Sequence, residues 1–517
     1  DSTRIVAGIN PQSFSYILDV GETFEAPEAV MTYSDKGFNA MSRNMHDFVR
    51  KHIVRGQWQY KERPVLLNSW EAAYFDISER KLYELARAGH DVGIELFVMD
   101  DGWFGNRDDD SSSLGDWYVN KKKLPNGLKG ICDKINALGM SFGIWVEPEM
   151  LNVNSDLYRL HPDWAMDIPG CAHSEGRNQR ILDLCNPEVS EYIIDSMTKV
   201  FSSANIAYVK WDMNRIFSDY YSKYLKAQGR PQGETAHRYV MALGRIMRTL
   251  TERFPHILFE GCAAGGNRFD LGILCYFPQI WASDNTDAVS RAYIQEGLSY
   301  GYPMSTVSAH VSACPNHQTL RVTPLSTRFN VAAFGICGYE CNLVDMSRAE
   351  KSEIKTQIDI YKKWRHAMQF GCFYRQRTGN IHQWTVVDEE AGRAVGLIMQ
   401  ELVRANTQNE EYYAAGLDPE AVYSFYNRPL KHNVKEFGDL INTVAPIHIR
   451  QGSLLHGMVA KFVTMPGETE KYELSGSMLM NCGVRLKQAF AATGFSEEVR
   501  HFPDFASRLY FMKKISD

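Results

Sequence analysis

The feature that most restricts how this chain can fold is a recurrence. Short apolar runs close on acidic, aromatic or basic residues, and segments of helical periodicity separate them. PVLLNSW ends in Asn68, Ser69 and Trp70, and IELFVMDDGW in Asp100 and Asp101. MSFGIWVEPEM ends in Trp145, Glu147 and Glu149, and IAYVKWDMNR in Lys210 and Asp212. HILFEGCAAGG carries Glu260 and Cys262, and PQIWASDNTD carries Trp281, Asp284 and Asp287. PMSTVSAHVSA and NVAAFGICGYE read as two more short runs. Between them lie SERKLYELARAGHDVG, with Leu82, Leu85 and Ala86 on one face, then LKGICDKINALG, SEYIIDSMTKVFSSA and AHRYVMALGRIMRTLTERF.

Near-continuous apolar strands alternating with helices require a parallel sheet covered on both faces. About eight strand–helix units favour a closed (β/α)8 TIM barrel, whose functional groups collect at the carboxyl ends of the strands. An open doubly wound sheet would show a glycine-rich phosphate loop after its first strand; here that place reads NSWEAAYFD. After residue 376 the texture turns to strand and turn, in NIHQWTVVD, AVGLIMQELV, AVYSFYN and RLYFMKK. The expected fold is therefore α/β: a (β/α)8 barrel over 61–375, then a C-terminal antiparallel β-sandwich over 376–517. Residues 1–60 are expected to be an entry segment with strand-like runs in FSYILDVGETFEAPEAVMTYS and a short helix in HDFVRKHIVRGQW.

A chain of 517 residues is longer than one ordinary domain. A formal charge of −6 without a long basic run argues against nucleic acid and against an anionic membrane surface as partners. No stretch approaches the ~20 apolar residues of a membrane span. The ten cysteines show neither CxxC pairs nor zinc spacing, a pattern suited to a reducing, cytoplasmic compartment more than to a disulfide scaffold.

One barrel rim would gather Trp70, Asp100, Asp101, Trp145, Glu147, Lys210, Asp212, Glu260, Cys262, Trp281, Asp284 and Asp287. Carboxylates between aromatic walls suit carbohydrate chemistry, because sugar hydroxyls bond to acids and the apolar face of a pyranose packs on indole. Cleaving a glycosidic bond takes one ionised and one protonated carboxyl group. Lys210 and Arg215 should keep Asp212 ionised, whereas Asp284, without close cations, should hold a proton longer. Each residue also has a structural reading. Asp287 suits a helix N-cap, Lys210 an ion pair, Trp145 core packing, Glu149 loop support, and His310 and His317 structural roles. The rim shows neither a Ser-His-Asp set nor a metal triad, so no metal and no cofactor is expected.

The stretches LLNSWEAAYFD, MDDGWFGNRDDDSSSLGDW, FGIWVEPEM, EGRNQ, YVKWDMNR, GGNRFD, IWASDNTDA and SAHVSACPNH resemble glycoside hydrolase family 36, the microbial α-galactosidase family, in order across most of residues 60–345. The last part, ending near SGSMLMNCG, resembles the family's C-terminal sandwich. The resemblance implies a retaining exo-glycosidase that hydrolyses terminal α-linked galactose from small-molecule or glycan substrates. It implies Asp212 as nucleophile and Asp284 as acid/base. It implies sugar contacts from Asp100 and Asp101 to the 4- and 6-hydroxyls, from Trp70, Trp145, Arg177, Lys210 and Trp281 along the site, and from Cys262 and Gly265 at carbon 2. It further implies that residues 1–60 are the trailing end of a larger N-terminal β-sandwich, and that a homo-oligomer is among the expected states.

GCAAGGN departs from the serine and three glycines that many members carry after this cysteine. A galactose bearing a 2-amino substituent is therefore the alternative substrate, and an α-N-acetylgalactosaminidase or α-galactosaminidase the alternative activity. A transglycosylase would use the same two acids, and a carbohydrate-binding dead barrel would lack one of them.

Overall fold

A computed structural model describes residues 3–405, 410–443, 445, 447–487 and 500–516 of the chain. Eight strands, β1 (Leu66–Asn68), β2 (Leu96–Met99), β3 (Ser141–Val146), β4 (Ile206–Trp211), β5 (Leu258–Gly261), β6 (Gln279–Trp281), β7 (Val307–Ser312) and β8 (Ile336–Glu340), close into a parallel barrel in chain order. Registers such as Leu66↔Leu96, Lys210↔Glu260 and Leu66↔Gly338 complete the ring. The predicted TIM barrel is thus observed. Almost every strand residue is buried, as a sheet covered on both faces demands.

The helices follow the predicted apolar faces. α1 (Glu79–Val92) buries Leu82, Leu85, Ala86 and Val92; Ser78 caps its start by accepting from Lys81 N–H, and Gly93 ends it at φ 100°. Gly89 brings this helix against β1, where a Cβ would stand 2.9 Å from Leu67 Cδ2. α2 (Gly127–Ala137), α3 (Pro187–Ser202) and α4 (Thr235–Arg253) repeat the pattern. The run NVAAFGICGYE divides: its first residues finish helix α6 (Leu325–Ala332), and only Ile336–Glu340 is strand.

Two expectations for the entry segment are corrected. The stretch 14–34 forms no strand; it lies extended along the barrel, with Ile17 N–H bonded to Glu234, Arg230 bonded to the Ile17 carbonyl and Phe24 stacked on His237. Without a neighbouring strand its alternating apolar residues had nothing to pair with. The helix predicted in HDFVRKHIVRGQW begins earlier, at Gly37, and runs to Phe48 before a π-helical turn over Val49–Ile53.

The chain divides into two compact units, Asp1–Thr286 with Tyr300–Ala313 and Gly335–Ile360, and Asp287–Ser299 with Cys314–Phe334 and Tyr361–Asp517. All eight barrel strands belong to the first. The second holds α5 (Ala288–Leu298), α6 and a six-stranded antiparallel sheet. The strands of that sheet are β9 (Cys372–Thr378), β10 (Ile381–Asp388), β11 (Arg393–Gln400), β12 (Val422–Asn427), β13 (Lys471–Ser475) and β14 (Ser507–Ser516), in the order β9-β10-β11-β14-β12-β13. A two-stranded ribbon, Glu411–Tyr412 with Val484–Arg485, adds Tyr412 and Val484 to the core formed by Ile398, Phe425, Tyr510 and Met512. No helix among the described residues is long and apolar enough to cross a membrane.

Candidate active site

Hydrogen-bonded strands place the ends of β1 to β6 on one rim. Strand β4 leads straight into Asp212, whose N–H still pairs with the Val146 carbonyl of β3, and Cys262 N–H pairs with the Trp211 carbonyl. The carboxylate is thus carried on sheet backbone, and its orientation follows from the ladder.

Four donors converge on Asp212. Met213 N–H reaches Oδ1 at 2.8 Å, while Trp145 Nε1 (3.1 Å) and Asn214 Nδ2 (2.8 Å) reach Oδ2. The Cys262 thiol donates as well. Burial works to raise the Asp212 pKa, but the Lys210 charge and these donors outweigh it, so the carboxyl sits below the ordinary carboxylate range. The expected contribution of Arg215 is not found: its guanidinium bonds to the Gln179 carbonyl, Ser218 and Asp219. Burial, then the Asp212 charge, pushes the Cys262 thiol well up, which keeps it a neutral donor.

Asp284 is half-buried in the loop after β6 and accepts from Trp281 Nε1 at 2.9 Å. Burial and the neighbouring Asp212 charge raise its pKa, the direction opposite to Asp212. The backbone around Gly265 abuts this loop. At φ 86°, a Cβ on Gly265 would stand 2.8 Å from Ser283 Cα and 2.9 Å from Asp284 N. Asn267 Nδ2 bonds to the Ala263 and Ala264 carbonyls, so the departing residues of GCAAGGN brace their own turn.

Beside this pair, Asp100 accepts from Lys210 Nζ at 3.1 Å and from Asn68 Nδ2 at 2.7 Å. Burial raises Asp100, with Lys210 the principal counterweight; Lys210 itself, despite burial, is held firmly charged by Asp100, Glu340 and Asp212. Asp101 is clasped by Arg107, with Nε at 2.9 and 3.2 Å and Nη2 at 2.8 Å, a fork that fixes the carboxylate in its plane. Arg107 Nη1 continues to Asn152 Oδ1, and Asn152 Nδ2 to the Asn178 carbonyl.

The rim thus holds three directly bonded sets, Asp100 with Lys210, Asp212 with Trp145 and Cys262, and Asp284 with Trp281, which act on one another through charge. Trp145 and Trp281 spend their N–H groups on the two carboxylates, a use that the sequence reading did not foresee. Trp70 opens a short helix, its ring edge-on to Tyr74 and Phe75 at 5.2 Å. Arg177 is not drawn in: it is exposed at φ 52° in the tight turn between Gly176 and Gln179, with no side-chain bond among the described residues. Glu260 is inside the barrel, bonded to Gln279 and Ser308, and Glu149 is a strut for Trp211, Tyr239 and Arg268. Asp287 caps α5 at Ser290 N–H, and His310 pairs with Glu340 at 2.8 Å, as their structural readings expected. Arg107, in a loop without periodicity, and Asn214, two residues past Asp212, were missed; Asn214 was open to view in KWDMN.

Known proteins match this chain. The melibiase family profile matches residues 23–371, and that of the glycosyl hydrolase family 36 C-terminal domain matches 381–512. Alpha-galactosidase AgaA of Geobacillus stearothermophilus is 49% identical over 425 residues, covering 82% of this chain and 58% of that protein. Alpha-galactosidase Mel36A of Lactobacillus acidophilus is 46% identical over 422 residues, 81% of this chain and 57% of that protein. The AgaA crystal structure superposes with a TM-score of 0.85 at 42% identity, covering 98% of this chain and 63% of that one. The chain thus spans about three fifths of the length of these relatives. With two thirds of its length inside the melibiase profile and the barrel rim built as described, the chain belongs to glycoside hydrolase family 36.

Proposed function

We propose that this chain is a retaining exo-α-galactosidase that releases terminal α-linked galactose from oligosaccharides or glycoconjugates by double displacement. One observation carries the reading: two rim carboxyls, Asp212 and Asp284, are tuned in opposite directions, one toward the anion and the other toward the acid. Asp212 attacks the anomeric carbon and Asp284 gives its proton to the leaving oxygen. Asp284 then takes a proton from the water that frees the sugar. Asp100 and Lys210, already paired, present an acceptor and a donor to the sugar hydroxyls, and Asp101 is fixed for the same task by Arg107. The relatives named above are alpha-galactosidases, and variants of AgaA have been solved in complex with raffinose and with stachyose, which supports galactose as the sugar.

The test is hydrolysis of an aryl α-galactoside, α-N-acetylgalactosaminide and α-galactosaminide side by side. The galactoside should be turned over by far the fastest. Asp212→Asn should abolish that turnover while leaving the fold intact; surviving hydrolysis would remove Asp212 from its role. Preference for a 2-amino sugar would reassign the activity.

A further inference from the structure

Glu147 follows β3, is fully enclosed, and takes part in no step above. Asp100, Asp101 and Glu149 each pair with a cation, but Glu147 has none within ion-pair distance among the described residues. Its donors are neutral: the backbone N–H and Nδ2 of Asn214, the latter at 3.2 Å, and Gln179 Nε2 at 3.1 Å. The same Asn214 Nδ2 reaches Asp212 Oδ2 at 2.8 Å. A side-chain amide nitrogen carries two hydrogens, so this one is divided between the two carboxyl groups.

We propose that Glu147 is a positioning residue for Asp212, acting through Asn214, and that it serves as the neutral acid of the pair. Two anions bridged by one amide, away from water, would repel one another. A neutral Glu147 leaves the charge on Asp212 alone, and whichever of its oxygens stays a carbonyl still accepts from Asn214. Burial first, and the Asp212 charge second, push Glu147 up to about 8; Arg107 is the charged group acting the other way. Asn214 is thereby locked to β3, and the Asp212 oxygen it touches is locked with it.

The inference rests on the proposed glycosidase activity, and its test uses wild type, Glu147→Ala and Glu147→Gln. The measurements are kcat and KM on an aryl α-galactoside from pH 4 to 9. Glu147→Ala releases Asn214, so kcat should fall about 10–100-fold while KM stays within about threefold, the signature of a displaced nucleophile. Glu147→Gln restores the neutral shape. It should recover kcat to within about fivefold of wild type, and its acid limb should coincide with that of wild type. An unchanged kcat in Glu147→Ala overturns the proposal. So does a Glu147→Gln acid limb displaced to lower pH, because that displacement means a negative charge beside Asp212 has been removed. A wild type without α-galactoside turnover overturns the proposed function itself; an active wild type with either result above overturns only this inference.

Discussion

Lys210→Met removes a cation that serves both Asp100 and Asp212. The Lys210–Asp100 pair is 3.1 Å long, and its side chains are 8% and 5% exposed, so water screens it little. Breaking a buried pair by deleting one partner costs about 3–5 kcal/mol, because the remaining charge is stranded. Asp100 can escape only by taking up a proton. Its folded pKa, already raised by burial, must rise further once the lysine is gone. A carboxyl whose folded pKa exceeds its unfolded value loses stability as pH rises through that folded pKa. The deficit of the variant should therefore be largest near pH 8 and shrink toward pH 5. Asp212 loses its main lowering charge at the same time, so the acid limb of kcat/KM should move to higher pH. Urea unfolding of both proteins at pH 5 and pH 8, with a pH–rate profile on an aryl α-galactoside, measures all three effects. A deficit below about 1 kcal/mol at pH 8 together with an unmoved acid limb would refute the reasoning.

The two indoles should separate kinetically. Trp145→Phe removes a donor that lowers Asp212, so the acid limb should rise; Trp281→Phe removes one that lowers Asp284, so the basic limb should rise instead. Pre-steady-state or steady-state pH profiles on the same substrate distinguish them, and movement of the wrong limb would reverse the assignments. Gly265→Ala should cut kcat at least tenfold with an unchanged circular dichroism spectrum, because the new methyl meets Ser283 and Asp284 backbone in a left-handed conformation. In the second unit, His382 is enclosed between Glu296 at 2.8 Å and Glu401 at 2.9 Å. Burial lowers its pKa, but the two carboxylates outweigh burial and raise it above 6.5. Its stabilisation is thus complete below about pH 6.5 and lost as pH rises through the folded pKa. Thermal midpoints should fall between pH 6 and 8.5 in wild type, by about 2–4 °C per kcal/mol, and the fall should be smaller in His382→Gln.

The barrel was legible because burial on both faces leaves an uninterrupted apolar signature, and because the change to polar residues marks where each strand emerges. IAYV followed by Lys210 and Asp212 is such a case. The opposite tuning of Asp212 and Asp284 was legible in direction, since a lysine two residues away along a strand points to the same side. The cause was only half right: Arg215 lies five residues beyond Lys210, outside the strand, where the loop turns it toward Asp219. The use of the two indoles, the Arg107 clasp on Asp101 and the sharing of Asn214 between two acids depend on contacts between different strands or loops. Local pattern holds no record of those. The entry segment misled for a related reason: alternating residues describe a strand only when a partner edge exists.

The contact of Gly265 and Gly266 with Ala282, Ser283 and Asp284 gears two properties that are usually imagined as separate. The loop after β5 cannot be widened, narrowed or repopulated without displacing the backbone that carries Asp284. Under the proposed double displacement, fit at this corner and proton delivery from Asp284 are therefore inherited together. Lineages that change residues 263–267 should change 282–284 in step, and a designer seeking a roomier pocket here would have to rebuild both loops at once.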